Sequence, residues 1–532
     1  MPDRTLLVRL ARLVARDVAS GQPGENTWAA TTALEGHPEA AFDLIDLAEA
    51  ELRKKRPNAD LISAYAYLFA HSLETIRYGI EAGRSQASAL AEEIRQRLLR
   101  LGSSDGAGPE LMVLLLGQFV VAKLDPGEEL RAIMADLMAS AGAAMTADAP
   151  VGNLDTLVED LADELDGDVF ALHERLCELT DPLPEAHRVA VAVAMLHAPV
   201  DAAREAAVGW LLSASAEVRT GVAAALGQAA AQGAVSGTML RRMIAVRNWL
   251  PEPSRAALDQ AIQSCRREGV ECASWPEARI RGVLASVVDG AGAQGVFVDC
   301  RDGRRSALAC LLVKHGIGVR DAWVRRRLTR AELGEFLSMA AIGMDLIAVD
   351  PAYAQAAARH ALSVSLASGT MPPFAALDFL ETAGLADAHP EALSAARLIE
   401  AMETGTPPSP RRLEEGSDLP DLYPVLGSWF EDGDEVQDLL AGKRMARARR
   451  VALVLDRLLP TRRQKWAELL AWTAYTLHLA ESAERWEDFL AAAKAVADDG
   501  VPLSTVPLMR HVAEQTVDGF ADRRAVQGTR SY

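Results

Sequence analysis

The chain has 532 residues, a formal net charge of −19 at pH 7 and an aromatic content of only 5%. A single hydrophobic core stops growing at roughly 250–300 residues, so the chain must divide into domains or stack as a helical array. The negative charge disfavours nucleic acid as a partner, because proteins that bind it usually carry a basic surface. With few aromatic residues, the core must consist mainly of Leu, Val, Ile and Ala, and abundant Ala favours helices.

Cysteine use and hydropathy predict a cytoplasmic protein. The five cysteines contain no CxxC pair and are too few for a disulfide framework, so we expect reduced thiols. The basic residues are mostly Arg, which is typical of a GC-rich bacterial genome. The longest apolar segment, residues 111–122, is too short for a membrane span, which takes about 20 residues.

The first 275 residues predict successive helices separated by Gly, Pro and Asp. The chain begins with an amphipathic helix in which Arg alternates with apolar residues. A helix over 39–56 ends at Pro57, and the next helix places Leu61, Tyr65 and Phe69 on one face. Residues 148–153 are typical of a joint between subdomains.

One segment resembles a known repeat. Residues 215–229 read Ser-Ala-Glu-Val-Arg-Thr-Gly-Val-Ala-Ala-Ala-Leu-Gly-Gln-Ala, and the preceding segment from Asp201 echoes this composition. The stretch, mainly residues 201–230, resembles the helices of HEAT-like α-helical repeat proteins. The resemblance implies an irregular stack of helix pairs, because no constant period runs through the chain.

Residues 279–313 interrupt the helical pattern. Three Val-rich segments, 280–288, 296–300 and 304–313, predict strands, and Asp302-Gly303 is a preferred pair for a tight hairpin turn. We therefore predict a three-stranded antiparallel β-meander, followed by an irregular loop over 314–323. The fold class expected from the sequence is all-α, an irregular HEAT-like array with this small meander inserted.

Helices are predicted again after residue 329, with one Pro-rich interruption at 404–424. The expected organisation is 1–150 as an N-terminal helical region, 151–275 as the HEAT-like region, 276–328 as the meander and loop, 329–403 as a helical region, 404–424 as a linker or loop, 425–525 as a C-terminal helical region and 526–532 as a tail.

Sequence motifs do not indicate a cofactor or a metal site. No GxxxxGK[ST] motif is present, and the Gly290–Gly295 spacing of a dinucleotide loop lies between strands instead of before a helix. No HExxH motif occurs. His173 and Cys177 share one helical face, but two residues of a helix without a further ligand more often pack structurally.

The predicted meander and its exit loop hold the candidate functional residues, because loops fixed on a scaffold often carry function. If the protein is an enzyme, its polar groups are Asp289, His315, Arg320 and Asp321. The two glycines after His315 allow the backbone to approach another element closely. If the same region binds a partner protein, the contacts are Asp299, Asp302, Arg320 and Trp323.

A basic stretch over 443–466 is the alternative candidate surface. A preceding acidic run at 431–438 favours internal ion pairs over nucleic-acid contact. If nucleic acid does bind, the expected contacts are Lys443, Arg444, Arg447, Arg450, Arg462 and Arg463.

These patterns favour a cytoplasmic scaffold or adaptor that binds another protein through a helical surface, since helical arrays present long open faces. An enzyme with a site where the meander meets the helices is the alternative, and nucleic-acid binding through 443–466 is the second alternative. The sequence predicts no cofactor and leaves catalysis undecided.

Overall fold

A computed structural model of the chain describes residues 4–20, 24–34, 36–102, 109–145, 154–342, 344–386, 388–402, 410–441, 445–480 and 485–528. These residues form two compact units. Unit 1 takes its described residues from Met1–Leu165 and Ala171–Ala194, and unit 2 from Asp166–Phe170 and Met195–Gly528. No described helix has the length and apolar character needed to cross a bilayer.

The described residues are mostly helical. The helices are α1 (Arg4–Ser20), α2 (Glu25–Leu34), α3 (Ala40–Leu52), α4 (Ala59–Glu81), α5 (Ser85–Gly102), α6 (Pro109–Val121), α7 (Glu128–Met145), α8 (Leu154–Glu164), α9 (Val169–Thr180), α10 (Glu185–His197), α11 (Asp201–Ala206), α12 (Ala216–Ala231), α13 (Gly237–Arg247), α14 (Glu252–Arg267), α15 (Arg330–Ala340), α16 (Ala352–Ser368), α17 (Ala375–Ala383), α18 (Ala395–Met402), α19 (Pro410–Glu415), α20 (Leu419–Leu422), α21 (Asp434–Leu440), α22 (Arg447–Leu453), α23 (Arg463–His478), α24 (Trp486–Ala497) and α25 (Pro507–Gly528).

Unit 1 is built around α4, which packs against α1, α3, α5 and α6. The Asn58 side chain accepts a hydrogen bond from the Leu61 amide and so caps the first turn of α4. The face predicted from the sequence is confirmed, because Leu61, Tyr65 and Phe69 are all buried. The helical spacing of apolar residues was sufficient to predict the buried face of α4.

Unit 2 contains a five-stranded sheet in the order β4-β3-β2-β1-β5, with every neighbouring pair antiparallel. The strands are β1 (Ile280–Ser286), β2 (Ala293–Asp302), β3 (Arg305–Lys314), β4 (Gly318–Leu328) and β5 (Leu346–Val349). The three predicted strands correspond to β1, β2 and β3. Gly290 to Gly295 run from the β1–β2 connection into β2, so these glycines do not precede a helix.

The predicted three-stranded meander in an all-α fold is wrong, because residues 318–328 form a fourth strand and residues 346–349 a fifth. The segment expected to be a loop over 314–323 thus contributes half of β4. Two irregularities in the β3–β4 register, one of which falls at Arg320, disrupt the alternation of side chains that identifies a strand. Arg327 also has a positive φ of 56°.

The strand β5 falls in the region after residue 329, for which the sequence predicts helices. Helix α15 ends at Ala340, and Leu346–Val349 pairs with β1. Four apolar residues carry too little periodicity to distinguish a short strand from a helix. The pairing partner decides the structure, and the sequence does not indicate that partner.

Helices cover both faces of the sheet. Helices α16 and α17 pack against β3 and β4, where Leu311 and Val319 meet Ala358, Leu362 and Leu380 of these helices. On the opposite face Phe297, Leu308 and Cys310 pack with Trp323 and with Leu333 and Leu337 of α15. Successive side chains of a strand point to opposite faces, so each strand residue is assigned to one helix layer.

The segment that resembles HEAT repeats is helical. Ser215 caps α12 through the Val218 amide, and α11 continues as a 3-10 helix over Ala207–Leu212. This arrangement is compatible with many helical folds, so the HEAT resemblance stays a prediction. Within the expected linker, residues 403–409 lie outside the described residues, and the described part contains α19 and α20.

Candidate functional site

His315 lies in the turn between β3 and β4, and several contacts fix its position. Its amide donates to the Gly292 carbonyl at 2.7 Å. The turn then reaches α16, where the Val319 amide donates to Ser365 Oγ at 2.9 Å. Gly318 has a φ of 109°, and a Cβ there would lie 2.1 Å from Ser365 Oγ. Glycine therefore permits the close approach that the sequence predicted, and the approach brings His315 onto α16.

Two helices bring further polar groups to His315. His360 comes from α16 and Glu468 from α23. His315 Nδ1 lies 3.7 Å from Glu468 Oε1, and His360 Nε2 lies 3.4 Å from the same oxygen. The side chains of His315 and His360 are 3% and 5% exposed, and that of Glu468 is 26% exposed. The cluster is thus enclosed, with the carboxylate nearest to solvent.

Three of the four imidazole nitrogens of this cluster lack hydrogen bonds among the described residues. Neither ring nitrogen of His315 has a hydrogen-bond partner among the described residues, and the same holds for His360 Nε2. Trp472 packs against both imidazoles, with ring centroids 5.5 Å from His315 and 4.7 Å from His360. Its buried Nε1 is also without a partner among the described residues. Unsatisfied buried polar groups are rare and costly, so each one points to a missing partner.

The charge state of the cluster follows from burial and proximity. Burial lowers the pKa of His315, and the Glu468 carboxylate opposes this change, so the ring is neutral at pH 7. Burial acts to raise the pKa of Glu468, but its contacts with His315 and His360 outweigh that effect and lower the pKa to about 2. At neutral pH the site therefore offers a carboxylate beside a neutral imidazole, the forms in which both groups bind metal ions.

The spacing of these atoms resembles that of metal ligands. Two ligand atoms bound about 2.0–2.1 Å from a tetrahedral zinc ion lie roughly 3.4 Å apart. The two nitrogen–oxygen separations are 3.4 and 3.7 Å, and one ligand atom from each of the three residues lies within 4.8 Å of the others. The arrangement can hold a small cation, or it can move protons between the imidazoles and the carboxylate.

One contact constrains the chemistry of His360. The backbone N–H of Leu393 donates to His360 Nδ1 at 3.2 Å. Nδ1 is therefore an acceptor, and a neutral ring carries its hydrogen on Nε2. A metal ion bound at Nε2 would require that hydrogen to move to Nδ1, which breaks the contact with Leu393. The geometry thus links occupancy of the site to the segment that precedes α18.

Of the four catalytic candidates from the sequence, the structure brings Asp289 close to His315. Burial raises the pKa of Asp289, while hydrogen bonds from the Ala293 and Ala291 amides and the charge of Lys314 oppose the rise; His315 also lies within electrostatic range. Asp321 pairs with Leu312 and affects the pKa of Cys310 on the sheet face that α15 covers. Arg320 lies at the β4 irregularity. Asp321 therefore faces away from His360.

The residues predicted to contact a partner protein lie at separate places. Trp323 packs edge-on against Phe297, with ring centroids 6.4 Å apart. Asp302 accepts a hydrogen bond from the Arg327 amide at 3.0 Å, next to the β2–β3 turn. Asp299 pairs with Leu308 in the sheet. Trp323 thus serves as a packing residue, whereas Asp302 lies at the end of the β2–β3 hairpin, next to exposed Arg301 and Gly303.

Four described arginines of the basic stretch make contacts within the chain. Arg447 binds Asp518 with two hydrogen bonds of 2.8 and 2.7 Å, and Arg462 binds Glu435 at 2.5 Å. Arg463 donates to the backbone carbonyls of residues 496, 498 and 501. Arg450 lies over the Phe520 ring. Lys443 and Arg444 lie outside the described residues.

Cys177 and His173 are in contact on α9, with Cys177 Sγ 3.3 Å from His173 Nε2. Burial strongly raises the pKa of the Cys177 thiol, and the nearby Asp181 carboxylate adds to the rise. A thiol that stays protonated is a poor metal ligand. No third ligand joins this pair among the described residues.

The sequence did not identify His360 or Glu468 as functional. His360 lies in an Ala-rich helix, far from the other two residues along the chain, and forms no motif with them. One signal was present, because His360 shares the buried face of α16 with Tyr353, Ala357 and Ala361. A polar residue on a buried helix face requires a partner. Naming that partner required the tertiary structure.

Comparisons with known proteins identify similar chains of undescribed function. Residues 184–269 match the model of the Y4lR second domain, and residues 393–521 match that of the Y4lR C-terminal helical domain. The uncharacterized protein y4lR of Sinorhizobium fredii (strain NBRC 101917 / NGR234) is 26% identical over 464 residues, 85% of this chain and 88% of that protein. No solved structure matches the chain.

The matched ranges include one of the three residues of the candidate site. Glu468 and Leu393 fall within the range that resembles the Y4lR C-terminal helical domain, whereas His315 and His360 lie between the two matched ranges. The names of the matching domains describe no activity.

Proposed function

We propose that this chain binds a divalent transition-metal ion through His315, His360 and Glu468. The observation that carries the proposal is the imidazole of His315, which is 3% exposed and has no hydrogen bond to either nitrogen among the described residues. Burying such a ring without a partner costs free energy. A metal ion removes that cost because it accepts the lone pair of a neutral imidazole.

The ligand set favours a catalytic ion over a structural one. Structural zinc sites close all four positions with protein ligands, whereas two His and one Glu leave a fourth position for water or substrate. Glu468 is the most exposed of the three residues, so the open position faces the carboxylate side. The proposed reaction class is metal-assisted hydrolysis, in which the bound ion supplies an activated water. This assignment develops the enzyme alternative drawn from the sequence: it keeps His315, adds His360 and Glu468, and gives Asp289, Arg320 and Asp321 no role as ligands.

Titration of the metal-free protein with Co²⁺ tests the proposal, because a tetrahedral Co²⁺ site absorbs visible light. We expect one equivalent to bind with a tetrahedral spectrum. Removal of a residue around a metal site costs roughly 10–100-fold in affinity, and loss of a ligand should cost at least that much. The variants His315→Leu and Glu468→Gln should both lose the spectrum. His187→Ala, which changes an exposed histidine of unit 1, should retain it.

Addition of azide to the Co²⁺ form tests the open position. A spectral shift is expected if an exchangeable ligand is present, and no shift would contradict a catalytic role. Co²⁺ binding that survives in both His315→Leu and Glu468→Gln would overturn the metal site altogether. Far-ultraviolet circular dichroism of each variant separates loss of binding from loss of folding.

Protein binding, the function favoured by the sequence, is a second candidate, and α15 supports it. This helix has no buried residue, and Phe336, Met339 and Ile342 at and beyond its C-terminal half are 36%, 63% and 82% exposed. Clustered exposed apolar side chains are typical of protein interfaces. The expected contact is the apolar surface of a partner protein.

A photo-crosslinking residue at position 339 tests this second candidate in cells. We expect one discrete adduct that disappears with the additional change Ile342→Glu. The same crosslinker at exposed position 266 on α14 is the control. Identical adducts from both positions would contradict a specific interface on α15.

A further inference from the structure

A second site lies elsewhere in unit 2, in a cavity of about 150 Å³ between α13, the end of α17 and the segments that follow α14 and α17. Two indole rings, Trp249 and Trp275, line it together with the apolar side chains of Ile244, Leu380 and Leu385. An apolar cavity of about 150 Å³ is large enough for a benzene ring. The volume therefore fits one small ring.

The walls of this cavity are held in place by backbone contacts. The segment after α14 is fixed by the Ala273 amide, which donates to the Gly237 carbonyl at 3.1 Å. A Cβ at Gly237 would lie 2.4 Å from the Glu271 carbonyl oxygen, so the chains approach as closely as glycine allows. Arg241 donates to the Ser274 carbonyl at 2.9 Å. A preformed wall lowers the cost of ordering on binding.

The charge of the cavity favours a neutral ligand. Arg241 is the permanently charged residue of the lining, and its guanidinium donates to Glu381 at 2.8 Å. Glu381 also accepts two hydrogen bonds of 3.0 Å from Arg242, which in turn binds Glu205. The two arginines thus pair with two carboxylates. The group has no net positive charge that would attract an anion.

Polar groups in the lining can bind one polar atom of a ligand. The Asn248 carbonyl oxygen accepts a hydrogen bond from Arg247, while its amide nitrogen has no partner among the described residues. His389, which is exposed, lies in the same lining. Ligand pockets combine mostly apolar walls with a few such groups that fix orientation.

We propose that this cavity binds a small, neutral, planar aromatic molecule with one hydrogen-bonding group. Two indole rings in the lining, Trp249 and Trp275, allow ring stacking or edge contacts, which stabilise aromatic ligands beyond their buried area. The site is independent of the proposed metal ion, because its lining includes none of the three metal-binding residues. Either proposal can therefore fail without the other.

Alkylation of Cys272 provides the test, because this exposed cysteine lines the cavity. Cys265, Cys300 and Cys310 are buried, and burial raises the pKa of Cys177, so these four thiols react slowly. Phenol is the probe. At ten times its Kd, mass action leaves about one cavity in eleven free, so alkylation of Cys272 should slow about tenfold. Cys272→Ser should abolish the fast reaction and identify the reporter.

Matched probes and variants define the ligand class. Cyclohexanol has the same hydroxyl group without a planar ring, and benzoate has the ring with a negative charge. Both should protect Cys272 far less than phenol does. Ala245→Leu places three further carbons in the cavity and should abolish protection, whereas Ala224→Leu, at an exposed position of α12, should not.

Equal protection by cyclohexanol would overturn the aromatic assignment, and stronger protection by benzoate would overturn the neutral one. Protection that persists in Ala245→Leu, or none up to the solubility of phenol, would overturn the site itself. Circular dichroism of Ala245→Leu shows whether the variant folds. If it does not, the comparison of the three probes on the unaltered chain still decides the proposal.

Discussion

Two buried polar clusters contact the same tryptophan in unit 2, and they differ in how completely their hydrogen bonds are formed. In the first, Tyr353 Oη lies 2.8 Å from Gln294 Oε1 and 2.8 Å from Thr476 Oγ1. Gln294 Nε2 donates onward to the Ser286 carbonyl at 2.7 Å. In the second, His315 has no hydrogen bond through its ring nitrogens among the described residues. Trp472 packs against both Tyr353 and His315.

This difference separates a structural role from a functional one. A fully bonded network stabilises one arrangement of β2, α16 and α23, and nothing further is required of it. An incomplete cluster in the same layer of the fold costs free energy and needs a partner from outside the chain. Burial and polarity alone do not distinguish the two clusters, because both have them. The two clusters are distinguished by how completely their polar atoms are hydrogen-bonded.

The largest effect is expected in the complete network. Tyr353→Phe removes the hydroxyl and leaves Gln294 and Thr476 without one partner each. An unsatisfied buried group costs about 1–3 kcal/mol, so the free energy of unfolding should fall by that amount in denaturant titrations. Co²⁺ affinity should stay unchanged. A variant as stable as the original chain would show that the network does not stabilise unit 2.

A smaller effect of opposite sign is expected at the incomplete cluster. In metal-free protein, His315→Leu replaces an unsatisfied imidazole with an apolar side chain, which should leave the free energy of unfolding unchanged or raise it by about 1 kcal/mol. His315→Ala is the control and should be less stable, because it leaves a cavity. If His315→Leu is destabilised as strongly as Tyr353→Phe, the two clusters do not differ in the way proposed.

A similar contrast, between local and long-range contacts, explains which elements could be predicted from the sequence. Periodic apolar residues identified the α4 face, and Asp302-Gly303 identified the β2–β3 turn, because local patterns encode both. The strand β4 was missed because two irregularities disturb its alternation, and β5 because four residues carry little pattern.

Within the site, the sequence identified His315 from the glycines around it, since Gly316 and Gly318 both adopt positive φ. His360 and Glu468 come from helices whose distance from His315 is set by sheet and helix packing alone. No local rule places them together. Asp321 is close to His315 in sequence, but strand alternation directs its side chain to the α15 side of the sheet.

A further prediction concerns the contact between Leu393 and His360. Leu393→Pro removes the backbone donor, so His360 Nδ1 can carry the ring hydrogen and Nε2 can bind a cation without losing a hydrogen bond. Co²⁺ affinity should rise by several-fold, which corresponds to the roughly 0.5–1.5 kcal/mol net value of one hydrogen bond. Ala392→Pro imposes a similar restraint one residue earlier and keeps the donor. Equal affinities in both variants would contradict the coupling.

The smallest effect is in the pH dependence of metal-free stability. Burial lowers the folded-state pKa of His315 below its ordinary value of 6.5, so the unfolded chain takes up a proton at a higher pH than the folded chain does. Stability contributed by the neutral ring is therefore complete above about pH 6.5 and decreases as the pH falls towards the folded pKa.

His315→Leu lacks this titration, so its stability advantage over the original chain should increase between pH 7 and pH 5. Tyr353→Phe should show no such change, because the pKa of the tyrosine it replaces is raised by burial, far above this window. A constant difference between the original chain and His315→Leu across that range would mean that the imidazole is already partnered, and the comparison between the two clusters would then lose its basis.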